Sequence, residues 1–283
     1  MFPMKSNELT LCGLPAVKAR FDRDAGSIVR LFFDEATGRK VGAICKALAQ
    51  TRKVYRCVPP VELEKIAGSK HHGGIVAVVR AEAPRAPSPA EIAAWAKRRE
   101  PVLVLDRIGN AHNLGAIART AAYLGVSLLV LADDPAASRP NDAAYRVSEG
   151  GLEQLEVRAV KDVAAFLKAL AAAGYEVCGA ATRGAPLLRS NDAKGRAGPP
   201  GAPGRASNAA GPARSTDSGR AVPPDPQPAK PIALVLGNEE HGMAPAVERA
   251  CTRLVTIPGS GKVESLNVSV AAAILLWELV RKQ

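Results

Sequence analysis

The sequence predicts an α/β protein, in which a small α/β unit precedes a larger one built on an open, mostly parallel sheet. Three observations predict it. Unbroken apolar tetrads such as Val102-Leu-Val-Leu105 fit strands covered on both faces, the habit of parallel sheets. These tetrads alternate with segments of helical period, which is the order of strand–helix–strand units. A proline-rich joint, Pro84-Arg-Ala-Pro-Ser-Pro89, separates them from the chain's first part. A length of 283 residues suits about two domains.

The division places a small domain at 1–83, a semi-rigid linker at 84–98 and the larger domain at 99–283. In the first, β-branched and aromatic runs predict strands over Ser27–Phe33, Val54–Val58 and Gly74–Val79. Helical patterns lie around Ala16–Phe21, Val41–Leu48 and Val61–Ile66, so the unit has the makings of its own core. It carries 14 Lys and Arg against 8 Asp and Glu, more than half of the chain's net charge of +11. Such an excess, with a pI near 9.7, points to a polyanionic partner. Lys18, Arg20, Arg23, Lys40, Lys46, Arg52, Lys53 and Arg56 are the candidate phosphate contacts. The alternative is a basic face that meets only water. His71-His72 precedes the third strand with no other ligand at metal spacing, so a substrate-contacting loop or a polar turn is expected there.

A short amphipathic helix, Pro89–Arg99, leads into the larger domain. The loop Asp106–Asn113 follows the first apolar tetrad, at the carboxyl edge where open α/β sheets bind ligands. A helix over Leu114–Leu124 comes next, stopped by Gly125. Asn113 and Arg119 are six residues apart, so both are expected to border one side of that edge. Strand, helix, strand, helix and strand follow at Val126–Leu131, Asp142–Glu149, Leu155–Val160, Asp162–Ala173 and Tyr175–Ala181. Residues 191–230 hold six Gly and eight Pro and lack Leu, Ile, Phe, Tyr and Trp, which predicts a disordered insertion. The sheet resumes at Ile232–Leu236. Gly237-Asn-Glu-Glu-His-Gly242 closes that strand ahead of a helix at Ala244–Ala250. A final strand, Leu254–Ile257, ends at Pro258. Gly259 and Gly261 then leave amides uncovered, and Ser265 stands as the N-cap of a helix apolar on nearly every face. A bare loop feeding a helix start suits a polar ligand held by main chain.

Several classes are disfavoured. Five scattered cysteines without a C-x-x-C pair fit reduced thiols in a cytoplasmic protein and neither a disulfide frame nor a metal site. The first residues lack a signal-peptide core, and the longest apolar run, Val270–Trp277, is too short to span a membrane. Aromatics at 4% argue against extensive base stacking, and G-x-G-x-x-G is absent.

Three segments together resemble the motifs of the SpoU (TrmH) RNA methyltransferases of the SPOUT superfamily. They are Asn110-Ala-His-Asn-Leu-Gly-Ala-Ile-Ala-Arg119, Leu236-Gly-Asn-Glu-Glu-His-Gly242 and Ile257-Pro-Gly-Ser-Gly-Lys-Val-Glu-Ser-Leu-Asn-Val-Ser269. The resemblance covers about residues 101–283, and more loosely the first domain resembles the family's RNA-binding unit. It implies methyl transfer from S-adenosylmethionine to a ribose 2′-hydroxyl of tRNA or rRNA, a C-terminal trefoil knot, and a homodimer through the last helix. It places Asn113, Arg119, Glu239 and Asn267 at the catalytic positions. Leu236, Gly237, Gly242, Ile257, Ser265 and Leu266 fall where the cofactor is held. Amides at 113 and 267 suit orientation of ribose and cofactor, Glu239 suits positioning of its turn or of Arg119, and Arg119 suits a fixed cation for phosphate. Glu240 departs from the usual glycine. The competing expectation is an RNA-binding protein of the same fold without methyltransferase activity.

Overall fold

Two sheets form among residues 8–181 and 230–280, the parts of the chain that the structure, a computed structural model, describes. The expected disorder of 191–230 falls outside them, Lys230 excepted. The first sheet belongs to the N-terminal unit: β1 (Glu8–Cys12), α1 (Leu14–Asp24), β2 (Ile28–Phe33), α2 (Glu35–Gly38), α3 (Gly42–Gln50), β3 (Val54–Cys57), α4 (Pro60–Ala67) and β4 (Ile75–Arg80). Its order is β1-β4-β2-β3, with β4 antiparallel to both neighbours and β3 parallel to β2. β1 was not among the expected strands. It is made by its distant partner, since Glu8 lies opposite Arg80 and Cys12 opposite Val76.

The larger unit runs α5 (Pro89–Arg98), β5 (Val102–Leu105), α6 (Ala111–Tyr123), β6 (Leu128–Ala132), α7 (Asp142–Ser148), α8 (Gly151–Gln154), β7 (Glu156–Val160), α9 (Val163–Ala172), β8 (Glu176–Ala180), β9 (Ile232–Leu236), α10 (Pro245–Ala250), β10 (Arg253–Val255) and α11 (Val268–Leu279). Its strands are parallel throughout, in the order β10-β8-β9-β5-β6-β7. Period-two alternation sorts the side chains. Leu103, Leu105, Leu129, Leu131, Leu234 and Leu236 join the cluster that includes α6 and α11. Val102, Val104, Val130 and Val235 join another, with Trp95 of α5 and Leu167 of α9. Burying one such side chain stabilises by about 1.5–3 kcal/mol, so each strand is held from both faces.

The boundary between the units is less independent than expected. Phe32, Leu63 and Val78 form a cluster local to the N-terminal unit, but Leu11, Val17, Ile28 and Leu31 belong to the cluster that continues into the larger one. The linker is also docked and not a free spacer. The backbone NH of Ala159 on β7 donates to the Arg85 carbonyl at 3.2 Å. Glu91 pairs with Arg85 at 2.5 Å and with Arg158 at 2.8 Å, and it closes a capping box with Ser88. The Arg85 guanidinium holds the Glu91 carboxyl far below the usual range.

Two expected boundaries shift at the C-terminus. The last strand ends at Val255, and α11 begins at Val268 with Asn267 as its N-cap, whose Oδ1 accepts from the Ser269 NH at 2.8 Å. Ser265 therefore lies in the loop. An asparagine two residues before a free NH competes for the cap as well as a serine does. Among the described residues, no helix is long and apolar enough to cross a membrane and no His/Cys/Asp/Glu group could hold a metal ion. Burial pushes the Cys178 and Cys251 thiols up to about 12, as inert structural groups require.

Candidate active site

Leu105 and Leu236 are partners in the parallel β5–β9 register, so the loops leaving the two strands emerge side by side. Asp106 fixes both. It is nearly fully buried, its own NH donates to the Leu236 carbonyl at 2.8 Å, and its Oδ2 accepts from the Ala244 NH at 2.7 Å. Arg107, held at φ 59°, returns its guanidinium to the same carboxylate. The Asn238 side chain stitches the second loop to the first. Its Nδ2 donates to the Arg107 carbonyl at 2.8 Å, and its Oδ1 accepts from the Glu240 and His241 NH groups. Asn238 and Gly242 exchange backbone hydrogen bonds, which folds the turn back on itself. That fold leaves no room at Gly237, where a Cβ would sit 2.2 Å from the Met243 nitrogen.

Glu239 projects from this turn onto the opposite loop. Its carboxylate accepts from the Gly109 NH at 3.2 Å, the Asn110 NH at 3.3 Å and Asn113 Nδ2 at 2.9 Å. Partial burial raises its pKa, but the bonds from Asn113 and the backbone outweigh that effect and leave the carboxyl below its ordinary value. Asn113 Oδ1 in turn accepts from Asn267 Nδ2 at 3.2 Å. A relay thus runs from Glu239 through Asn113 to Asn267 at the start of α11. Three segments far apart in sequence meet there.

The relay stands on the rim of a cleft of about 1450 Å³. Leu236, Gly237, Gly242, Ile257, Ser265 and Leu266 all line it, as do Asn113, Glu239 and Asn267. Thr256 also lines it, and its buried Oγ1 has no hydrogen-bond partner among the described residues. An orphaned buried hydroxyl in a cleft wall is a group waiting for a polar ligand atom. Together with a turn too tight for any side chain at 237, it fits a ligand gripped by backbone and small polar groups.

Arg119 stands apart from this assembly. Its Nη1 pairs with Glu149 Oε1 at 2.8 Å, both side chains are more than half exposed, and it is not among the cleft residues. A separation of six residues on α6 sends Asn113 to the cleft and Arg119 towards α8, so the expectation of a shared side does not hold. Glu239 positions its turn and the β5–α6 loop, not Arg119. Glu240 and His241 are exposed and 3.9 Å apart, and Glu240 also borders the cleft.

The basic candidates divide into two groups. Lys18, Lys40, Lys46, Arg52 and Arg56 lie on the exposed surface of the N-terminal unit, and Lys53, half-buried, donates to the Gly26 carbonyl. Arg20 and Arg23 are corrections. Arg20 pairs at 2.8 Å with the fully buried Glu153 side chain and lies over the Tyr145 ring, while Arg23 donates to the carbonyls of Glu153 and Leu155. Their charges are spent docking α1 onto the larger unit, because a buried carboxylate must be paired. His72 is buried and its Nδ1 accepts from the Gly74 NH, which makes the His pair a structural turn. Asp106, Asn238 and Thr256 received no role from sequence reasoning. A lone acid directly after four apolar strand residues was the available signal for the first; the other two carried none.

The model described as the SpoU rRNA methylase family matches residues 100–277, and that for the RNA 2′-O ribose methyltransferase substrate-binding domain matches residues 10–85. The chain is 32% identical over 281 residues to the 23S rRNA (guanosine-2′-O-)-methyltransferase RlmB of Ralstonia nicotianae, covering 98% of this chain and 97% of that protein. It is 28% identical over 282 residues to an uncharacterized tRNA/rRNA methyltransferase, YfiF, of Escherichia coli O157:H7, covering 98% of this chain and 69% of the relative. Among solved structures, its fold is similar to the AdoMet-bound rRNA methyltransferase from Sinorhizobium meliloti. There the TM-score is 0.69 at 22% identity, over 96% of this chain and 87% of that one. It is likewise similar to the SpoU methyltransferase AviRb from Streptomyces viridochromogenes in complex with AdoMet. The TM-score is 0.64 at 24% identity, over 98% and 91% of the two chains.

Proposed function

The chain belongs to the SpoU methylase family, and from that premise we propose that it transfers a methyl group from S-adenosylmethionine to a ribose 2′-hydroxyl of RNA, with ribosomal RNA as the first substrate to test. The observation that carries the reading is the relay Glu239–Asn113–Asn267 on the rim of a cleft walled by backbone. The relay also braces the turn, so what favours chemistry over RNA binding alone is that the amides of Asn113 and Asn267 line the cleft itself.

The residues present fit the cofactor. The walls at Leu236, Gly237, Ile257 and Leu266 would hold it by main chain and apolar contact, and Thr256 Oγ1 offers an unspent donor. Bound there, S-adenosylmethionine supplies an electrophilic methyl carbon. The protein's share is positioning and charge. Asn113 and Asn267 present amides locked by the relay, so a ribose is oriented by groups whose rotamers are already fixed. Glu239 is ionised, engaged three times, and of depressed pKa, which makes it a clamp and a poor proton acceptor. Arg119 contributes a cation for the RNA backbone from outside the cleft.

Three further parts of the reading concern assembly. Residues 8–83 recruit RNA through Lys18, Lys40, Lys46, Arg52 and Arg56, with the two units divided near 84–98. The last segment is threaded under a loop to make the trefoil knot that membership of the family implies. α11 dimerises, since Val270 and Trp277, one heptad apart, leave an apolar stripe exposed at 48% and 45%. Calorimetric titration with S-adenosylmethionine, followed by mapping of 2′-O-methylation on ribosomal RNA with and without the protein, tests the core claim. Micromolar binding and a protein-dependent methyl site are expected; absence of both overturns it.

A further inference from the structure

One short turn touches both units of the molecule and Arg119 at once. Glu149 closes α7 in the left-handed region, at φ 45° and ψ 44°, a conformation a residue with a side chain adopts at a cost. Gly150 follows at φ 93° and passes so close to α1 that a Cβ would lie 3.3 Å from the Pro15 carbonyl oxygen. Gly151 is pressed against α6, where a Cβ would meet the Arg119 Cα at 2.7 Å and its nitrogen at 3.0 Å. Two residues on, Glu153 is the buried partner of Arg20. The same turn is therefore fixed by the N-terminal unit on one side and by the Arg119 backbone on the other. From that fixed point Glu149 reaches the Arg119 guanidinium at 2.8 Å.

We propose that Glu149 is a positioning residue for Arg119, holding its guanidinium in the orientation used on RNA, with the Gly150-Gly151 joint keeping carboxylate and arginine in register. The inference rests on the reading that Arg119 serves methyl transfer. The turn itself is set by helix capping and packing, with the Glu149 NH bonded to the Arg146 carbonyl and Gly151 pressed on α6, so it delivers the carboxylate to Arg119 from a backbone that has little room to shift. A surface ion pair contributes little to stability, so a pair held in register this way is read as acting on Arg119.

Left-handed geometry supplies a clean test, because Glu149→Gly removes the carboxylate while relieving the backbone. Single-turnover methyl transfer to unmethylated ribosomal RNA is measured for wild type, Glu149→Gly, Glu149→Gln, Arg119→Lys and the Arg119→Lys/Glu149→Gln double variant. Melting temperature and S-adenosylmethionine affinity are measured in parallel. For both Glu149 variants the expected result is a rate about tenfold lower. Cofactor affinity should be unchanged, and melting should be unchanged or higher for glycine. The double variant should be no slower than Arg119→Lys alone, since the carboxylate acts through the arginine. A merely structural role would lower melting and leave the double variant additively slower, and either result overturns the proposal. So does a wild-type rate in both Glu149 variants while Arg119→Lys loses most turnover, which would leave Arg119's own role standing. A wild-type rate in Arg119→Lys removes that role and the proposal with it.

Discussion

The two walls of the cleft differ in kind. On one, the turn Gly237–Gly242 and the loop Asp106–Asn113 are cross-braced by Asp106, Asn238 and Glu239. On the other, residues 258–267 are exposed, with Val263 at 78% and Leu266 at 48%. Within it the Lys262 NH donates to Ser260 Oγ at a long 3.4 Å. The lesson is a division of labour. One wall is built in advance and costs little to organise on binding, while the other, exposed and lightly braced, is expected to gain order only with the ligand, at some cost in affinity.

Breaking the built wall is expected to have the largest effect. Gly237→Ala forces a methyl to within 2.2 Å of the Met243 nitrogen, so the turn must open. Cofactor affinity should fall at least a hundredfold by calorimetry, and an affinity near wild type would show that the turn yields. Next comes Asp106→Ala, which strips the Ala244 NH and the Arg107 guanidinium of a buried acceptor. We expect a loss of about 3 kcal/mol in denaturant unfolding, the usual cost of splitting a buried charged network. A loss under 1 kcal/mol would mean that the brace is idle.

Glu239→Gln is a smaller perturbation with a definite pH signature. The folded-state pKa of Glu239 lies below its unfolded value. Its contribution to stability is thus full above the ordinary carboxylate range and is lost as pH falls through the depressed value. Wild type and variant should differ in stability at neutral pH and converge in acid; a constant difference across that range would contradict the assignment. The smallest effect belongs to the open wall. Leu266→Ala should leave melting within a degree or two, because the side chain is half exposed, yet weaken cofactor binding by about 1 kcal/mol of lost apolar contact.

The two walls were also unequally legible. The apolar tetrads and glycine stops made the parallel sheet readable, because a strand buried on both faces leaves a local composition. The motif residues Asn113, Glu239 and Asn267 were readable only through resemblance; nothing local says that amides separated by over a hundred residues will touch. Arg20 and Arg23 were misread as RNA contacts because a basic residue looks the same whether it faces a phosphate or a buried carboxylate. β1 went unseen since its pairing partner, β4, comes after four intervening α-helices and two strands. The start of α11 slipped from Ser265 to Asn267, as rival caps two residues apart are decided by packing of the helix they start.

Amide hydrogen exchange, read in parallel over residues 236–244 and 257–267 with and without S-adenosylmethionine, tests the division directly. The account predicts slow exchange in the first segment under both conditions, and fast exchange in the second that slows at least tenfold when the cofactor is added. Equal protection of both segments without cofactor, or a first segment that gains its protection only on binding, would contradict it.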